Sequence, residues 1–483
     1  MNTGYSVTQM MDGVDLAKLI PCPEAIATLS VANARRLGIL PVATWSEGEE
    51  RVLLMAYADT FDSSQLERVA KYIDPIYHLQ FFKYPVHSLN QAIDECYRER
   101  PSLEQMLNAV RQNTLTHNGD DRSEDFQIEF VNALLRQAVR MRASDIHLSP
   151  DTCGLKIRFR IDGVLLGYAT IDNKFLKRLV LRLKIMASLD IAETRFAQDG
   201  QFSRLVDGHI VSFRMSTFPT VDGENTVLRL IDPRLQIDTL EKLAVPEPLQ
   251  GRLTSLMHQP DGLVVVCGPT GSGKSTTLFA LLGEIDKSSL NIMTLEDPVE
   301  HRIPGIRQTT IDASRQWGFA QSLRALLRQD PDVLMIGEIR DAESCAMALR
   351  AVSTGHQVLT TVHASCAHSA LHRLRELNAS GVALALSLKA IVAQRLVRRC
   401  CQACEDASVP CKHCNGTGYN GRQIVAELLE ITPEIASLLA DNARVDEIVK
   451  TSAAEGFTTM QGHAEALILS GKTTQEEVSR VLA

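Results

Sequence analysis

The chain has 483 residues, a length that suits two to four domains rather than one. Hydrophobic residues make up 45 % of it and aromatics only 5 %, a balance that fits helix-rich α/β layers better than a base-stacking surface. The formal net charge of −8 has the wrong sign for a protein that grips phosphate backbones, which disfavours a dedicated nucleic-acid binder.

In chain order, residues 1–112 mix strand-like runs with amphipathic helices and read as an N-terminal α/β domain. Ile39–Val42 and Val52–Met55 read as strands around the turn Ser46-Glu47-Gly48-Glu49, and Ser63 opens a helix. The polar run from Gln112 to Asp125 has no periodicity and predicts a linker. A second unit, 126–232, starts with Ile128, Val131, Leu135 and Ala138 on one helical face. Strands are predicted at Lys156–Arg160 and Val164–Tyr168, joined by the hairpin turn Asp162-Gly163. A helix is predicted over Arg182–Leu189, then strands near Val211–Met215 and Thr226–Ile231. The third unit, 238–483, alternates strand and helix patterns and predicts a parallel sheet. Its most apolar run, Gly381–Ala393, is too short to span a bilayer and contains Lys389. The N-terminus shows no basic region followed by an apolar core. The chain is therefore expected in the cytoplasm, with any membrane role passing through partners.

The third unit carries the chemistry. The apolar strand Leu263–Val266 runs into Gly268-Pro269-Thr270-Gly271-Ser272-Gly273-Lys274-Ser275-Thr276 and then a helix pattern. This is a phosphate-binding loop in its strand–loop–helix setting. Its glycines let backbone N–H groups turn toward phosphate oxygens, and the helix N-terminus adds partial positive charge. Lys274 is placed to reach the β- and γ-phosphates of ATP, and the Ser275 hydroxyl to ligate Mg²⁺. A second apolar strand, Asp332–Ile336, ends in Gly337-Glu338-Ile339-Arg340-Asp341. It reads as a Walker B strand with the acid displaced by one residue. A carboxylate there can orient or deprotonate the attacking water.

Five of the eleven cysteines lie between Cys400 and Cys414. Cys401-x-x-Cys404 and Cys411-x-x-Cys414 form two knuckles, each able to place two thiolates on one ion. Together they predict a structural Cys₄ zinc site, with Cys400 outside the shell. The other cysteines are scattered, which argues against a disulfide framework.

Taken together, these motifs resemble the type II secretion and type IV pilus assembly ATPases from about residue 126 to 430. The resemblance rests on an acidic box at Thr294–Glu300 with Gln308 after it, and on an arginine helix at Ser322–Asp332. It also rests on the glycine before Glu338 and on a histidine box running from Thr354-Gly355-His356 to Thr361-Val362-His363. In the second unit, Ala143–His147, Arg158–Gly163, Arg214–Pro219, Gly223-Glu224 and Arg229 resemble the family's second N-terminal domain. Asn415–Arg422 resembles the segment after its tetracysteine element. Two departures are visible: Ala364-Ser365-Cys366 follows His363, and only six residues separate the knuckles.

The resemblance implies a RecA-like domain carrying the ATP site, a smaller mixed α/β domain that closes over nucleotide, and an N-terminal docking domain. It implies that Glu296 and Glu338 position Mg²⁺ and the lytic water, that His363 lies near the γ-phosphate, and that Arg214 and Arg229 face nucleotide phosphate. It also implies a homohexamer on the cytoplasmic face of the inner membrane, working with platform and docking proteins of a pilus or secretion machine and not with nucleic acid. Other readings are a DNA-stimulated motor, a nucleotide-binding scaffold without turnover, and a retraction motor. Lys274, Glu296 and Glu338 speak against the scaffold. The tetracysteine element and the long N-terminal region favour assembly over retraction.

Overall fold

The computed structural model describes residues 5–7, 23–47, 50–58, 68–97, 101–111, 121–206, 209–235, 239–300, 302–311, 319–404, 411 and 413–482. The chain forms two compact units, Met1–Pro233 and Arg234–Ala483.

The first unit holds two sheets. The smaller has strands β1 (Tyr5–Val7), β2 (Ile39–Glu47), β3 (Glu50–Ala58) and β4 (Tyr77–Tyr84) in the order β1-β4-β3-β2. β2 and β3 pair antiparallel, as the predicted hairpin requires, and β4 pairs parallel with both β3 and β1. Leu40, Leu53, Met55 and Phe81 form its core with Leu89 and Ile93 of the helix Val86–Tyr97. Gly38 ends the helix Val31–Leu37 in the left-handed conformation, φ 59°, and its N–H caps the last turn. Gly48 and Glu49 of the predicted turn, and Ser63 with the start of the predicted helix, lie outside the described residues.

The larger sheet has six strands, all paired antiparallel: β5 (Asp145–Asp151), β6 (Gly154–Ile161), β7 (Val164–Ile171), β8 (Gln198–Val206), β9 (His209–Thr220) and β10 (Gly223–Ile231). Their order is β7-β6-β5-β10-β9-β8. Asp162 and Gly163 join β6 to β7 with φ of 48° and 85°, the positive pair that a tight hairpin needs. Alternation sets the faces. Ile146, Leu148, Ile157, Phe159, Phe213, Met215 and Leu228 point into the core. Arg158, Arg160, Arg214 and Arg229 therefore take the opposite face.

Three differences from the sequence expectation have local causes. The helix Asp121–Arg140 begins inside the predicted linker. Polar, acidic sequence without apolar periodicity is compatible with a helix start as well as with a linker. The rest of that linker, residues 112–120, lies outside the described residues. The helix predicted over Arg182–Leu189 is Leu176–Met186, because Leu176, Leu179, Val180 and Leu183 supply its buried face and Ser188 turns left-handed. Finally, the helix Leu103–Arg111 buries Leu103, Met106, Leu107 and Val110 in the core of the six-stranded sheet, not of the smaller one.

The second unit is built on a seven-stranded sheet: β11 (Gly262–Cys267), β12 (Ile292–Glu296), β13 (Arg307–Thr310), β14 (Val333–Ile336), β15 (Gln357–Val362), β16 (Leu388–Cys400) and β17 (Tyr419–Glu430). The order is β13-β12-β14-β15-β11-β16-β17, parallel except for β17 against β16. β11 is buried along its whole length because helices cover both sheet faces. Leu263, Val265 and Cys267 enter one core, with the helices Ala342–Ser353 and Ala367–Glu376. Val264 and Val266 enter the other, with Lys274–Gly283 and Glu247–Met257. Among the described residues no helix is long and apolar enough to cross a membrane.

Candidate functional site

Four loops leave the carboxyl ends of adjacent parallel strands, where open α/β sheets bind ligands. They follow β11, β12, β14 and β15.

The loop after β11 is Gly268–Gly273, and Lys274 opens the next helix. Gly268 has φ 155°, and a Cβ there would lie 2.6 Å from the Gln394 carbonyl oxygen. The first glycine is thus demanded by the close approach of β16. Pro269, Thr270, Gly271 and Ser275 are exposed, while Ser272 is buried. Lys274 Nζ donates to the carbonyls of Gly268 (2.9 Å) and Pro269 (3.0 Å). Burial, followed by the nearby Arg395 charge, holds the Lys274 ammonium below its ordinary range, although Cys267 opposes this.

Glu296 closes β12 and is buried. Its Oε1 accepts from Thr294 Oγ1 at 2.6 Å and from Gln308 Nε2 at 3.0 Å. Gln308 is fixed in turn by accepting the Ile303 N–H at 2.7 Å. The polar residue at this spacing therefore orients the carboxylate.

Gly337 follows β14, and its N–H bonds the Leu295 carbonyl at 2.8 Å. A Cβ at 337 would lie 3.2 Å from that same oxygen, so a side chain would crowd the gap and the acid falls to Glu338. Thr361 Oγ1 donates to the Gly337 carbonyl at 2.7 Å, and Ile339 N–H to the Thr361 carbonyl at 2.9 Å. The ends of β12, β14 and β15 are thereby locked in register.

His363 leaves β15, and its Nε2 lies 3.2 Å from Glu338 Oε2. Burial first, then the charges of Lys274, Arg340 and Arg373, lower the imidazole's proton affinity. The ring is thus neutral near pH 7 and donates its Nε2–H to the carboxylate. His356, the other histidine of the box, sits at the opposite end of β15, with Nδ1 2.9 Å from the Ala351 carbonyl.

Sequence reasoning missed Arg340. Its guanidinium bonds Glu338 Oε1 and reaches Asp297 Oδ2 at 3.3 Å. Glu338 is therefore held from both sides, by a neutral imidazole and a guanidinium. The available signal was the two-residue spacing from Glu338. Arg395 was missed as well; it donates to the Ser365 carbonyl at 2.9 Å, just beyond His363.

Arg214 and Arg229 belong to the first unit. They are cross-strand partners on β9 and β10, and the same row continues through Asp145 to Arg160. Buried Asp145 accepts from Arg229 Nε at 3.1 Å and lies 3.5 Å from Arg160 Nε. One carboxylate thus organises a basic row on the sheet face away from the core.

Cys401, Cys404, Cys411 and Cys414 converge, with all four sulfurs within 4.8 Å of one another. Cys404 and Cys414 are 3.4 Å apart, and Cys401 and Cys411 3.9 Å. A tetrahedron with Zn–S bonds near 2.3 Å has edges of roughly 3.8 Å. The donor set therefore fits zinc. Cys400 stays outside the group, its N–H bonded to the Lys472 carbonyl at 2.9 Å.

A family model described as "Type II/IV secretion system protein" matches residues 120–480. The chain belongs to this secretion ATPase family. It is 44 % identical over 360 residues to the type II secretion system protein HxcR of Pseudomonas aeruginosa, covering 73 % of this chain and 77 % of that one. It is 35 % identical over 494 residues to the type II secretion system protein E of Dickeya dadantii, covering 97 % and 93 %. Among solved structures, the pilus retraction motor PilT with bound ADP aligns at a TM-score of 0.52 and 26 % identity, over 72 % of this chain and 96 % of that one. The Legionella pneumophila ATPase DotB aligns at 0.57 and 22 % identity, over 73 % and 94 %, which bears on the fold alone. The mixed α/β architecture with a RecA-like unit is that of this secretion ATPase family.

Proposed function

We propose that this chain is a Mg²⁺-dependent ATPase that works as a homohexamer at the cytoplasmic face of the inner membrane. It converts ATP hydrolysis into mechanical work for type II secretion or type IV pilus assembly. The observation that carries the reading is the meeting of phosphate loop, Glu296, Glu338 and His363 at one edge of one sheet.

The geometry supports the following division of labour. The backbone of Gly268–Gly273 and Lys274 bind the phosphates, while Pro269, Thr270 and Gly271 form the open rim. Ser275 and Glu296, both hard oxygen donors, would hold Mg²⁺, with Thr276 beside them; when bound, the ion neutralises charge on the β- and γ-phosphates. Glu338 accepts a proton from the attacking water. His363, neutral, keeps its proton on Nε2 and orients the Glu338 carboxylate. Arg340 fixes the other carboxylate oxygen. Arg214 and Arg229 supply positive charge to the nucleotide, within the chain or from a neighbour. Cys401, Cys404, Cys411 and Cys414 hold a structural zinc ion. Residues 1–112 serve as the docking domain, 126–232 as the nucleotide-closing domain and 238–483 as the motor domain, with inner-membrane platform and docking proteins as partners.

The deciding measurement is phosphate release by the purified full chain with and without Mg²⁺. A magnesium-dependent rate unaffected by DNA supports the reading. Magnesium-independent release, no release, or stimulation by DNA overturns it.

A further inference from the structure

The phosphate loop is held from behind by a residue that neither motif nor spacing singles out. Gln394 lies on β16, next to β11, and its side chain is fully buried. Its Nε2 donates to the Ser272 carbonyl at 2.8 Å. Its Oε1 accepts from Thr277 Oγ1, also at 2.8 Å. Its own carbonyl, together with Ser272 Oγ, leaves no room for a side chain at Gly268. A Cβ at Gly273 would lie 3.3 Å from Gln394 Nε2. One residue thus touches both ends of the loop and the helix that follows it.

The chemistry requires such a group. A loop that turns its N–H groups toward phosphate turns carbonyls the other way, and a buried carbonyl needs a donor. A primary amide does this without charge, donating at one end and accepting at the other. The Ser272 carbonyl can only accept, so it fixes which end is which, and the Thr277 hydroxyl then donates to Gln394 Oε1. We infer that Gln394, braced by Thr277, is a positioning residue that holds the loop in its phosphate-binding conformation through the Ser272 carbonyl. The inference rests on the nucleotide-cradle reading above.

The test uses the full chain as wild type, Gln394→Met, Gln394→Glu and Thr277→Val. ATP and ADP affinity by titration, steady-state kinetics and thermal melting are read on each. Gln394→Met keeps the volume and loses both polar ends, so Kd and KM should rise about tenfold, the scale of one lost buried hydrogen bond, with kcat changed less. Gln394→Glu keeps the acceptor for Thr277 but sets a carboxylate oxygen against the Ser272 carbonyl, so its affinity should fall further. Thr277→Val should weaken binding roughly threefold, because buried Gln394 Oε1 loses its donor and the amide is held at one end only. A role in packing alone would move the melting temperature and leave Kd unchanged; unchanged Kd in folded Gln394→Met overturns the inference. Should both Gln394 variants fail to fold, unchanged Kd in folded Thr277→Val overturns it. Wild-type protein that binds no nucleotide would instead remove the cradle reading, and the inference with it.

Discussion

The imidazole of His363 and the carboxylate of Glu338 stand 3.2 Å apart, although 25 positions separate them in the chain. Parallel pairing of β14 and β15 makes this contact, since each residue lies just beyond the end of its strand. Arg340 holds the other carboxylate oxygen. The acid is thus pre-oriented, which suits its proposed role on the attacking water rather than in nucleotide affinity. Glu338→Gln keeps the shape and loses the base. Its ATP affinity should stay within about twofold of wild type while turnover falls roughly 10²–10⁴-fold. Wild-type turnover in the purified variant would remove Glu338 from its role.

The cysteine centre predicts one zinc per chain. Elemental analysis of untagged protein should give a 1:1 ratio, and Cys404→Ser with Cys411→Ser should abolish it. Loss of the ion should also loosen the segment between β16 and β17, because site formation and local folding are coupled. That loosening is readable as faster proteolysis there. Folded, metal-free wild type would count against the site.

Glu477 predicts a pH-dependent contribution to stability. It is buried and bonded by Arg398 Nε (2.9 Å) and by Arg480 Nη2 (2.6 Å), which joins the C-terminal helix to β16. Burial alone would raise its pKa, but the two guanidinium groups and the Arg398 N–H outweigh it and hold the carboxyl down at about 2, against 4.5 in the open chain. The folded value is the lower one, so the carboxylate's stabilisation is complete above about pH 4.5 and is lost as the pH falls toward 2. Glu477→Gln should destabilise the protein at pH 7 by about 3 kcal/mol, since it leaves two cations without their partner. The difference from wild type should shrink between pH 4.5 and 2. Urea unfolding of both proteins across that range checks it; a pH-independent difference would refute it.

What could be read in the sequence was mostly local. The phosphate loop, the hairpin at Asp162-Gly163 and the cysteine knuckles are each written in a few consecutive residues. The site edge was legible because each motif follows a short apolar strand, and parallel strands expose such ends together. Gln394 was not legible, because its partners Ser272 and Thr277 lie 122 and 117 positions away. Neither was Glu427, which reads as one acid in an apolar strand. The fold buries it so that it accepts the Ala367 N–H at 2.7 Å and the Met460 N–H at 2.9 Å. The segment near Asp121 misled because polarity marks helix starts as well as linkers.

Glu427 gives a further stability prediction. It caps the helices Ala367–Glu376 and Met460–Leu469 at once, so one carboxylate joins the segment after His363 to the C-terminal region. Glu427→Ala orphans two buried N–H groups and should cost about 2–4 kcal/mol. Glu427→Gln keeps one acceptor oxygen and should cost less. Chemical denaturation of both variants decides it. Equal stability of Glu427→Ala and wild type would show that the two helix starts find other partners.

The last prediction concerns charge and assembly. A phosphoryl-transfer transition state spreads negative charge over the γ-oxygens, and the phosphate loop supplies a single lysine, Lys274. The row Arg160–Asp145–Arg229–Arg214 sets three cations and one acid side by side on one sheet face. The Arg229 side chain is 64 % exposed even while paired with Asp145, which leaves its guanidinium able to take a second anion. An arginine supplied to such a transition state is worth roughly 10³–10⁵ in rate. Arg229→Ala should therefore bind ATP and hydrolyse it poorly. Because Asp145 retains Arg160, the variant should melt close to wild type, which separates lost chemistry from lost folding. Rings closed by head-to-tail contacts repeat the same interface at every subunit. Specific activity should then rise with protein concentration as hexamers form, followed by light scattering on the same samples. Full activity in a sample shown to be monomeric would sink the assembly argument. Full activity in Arg229→Ala would sink the arginine argument independently.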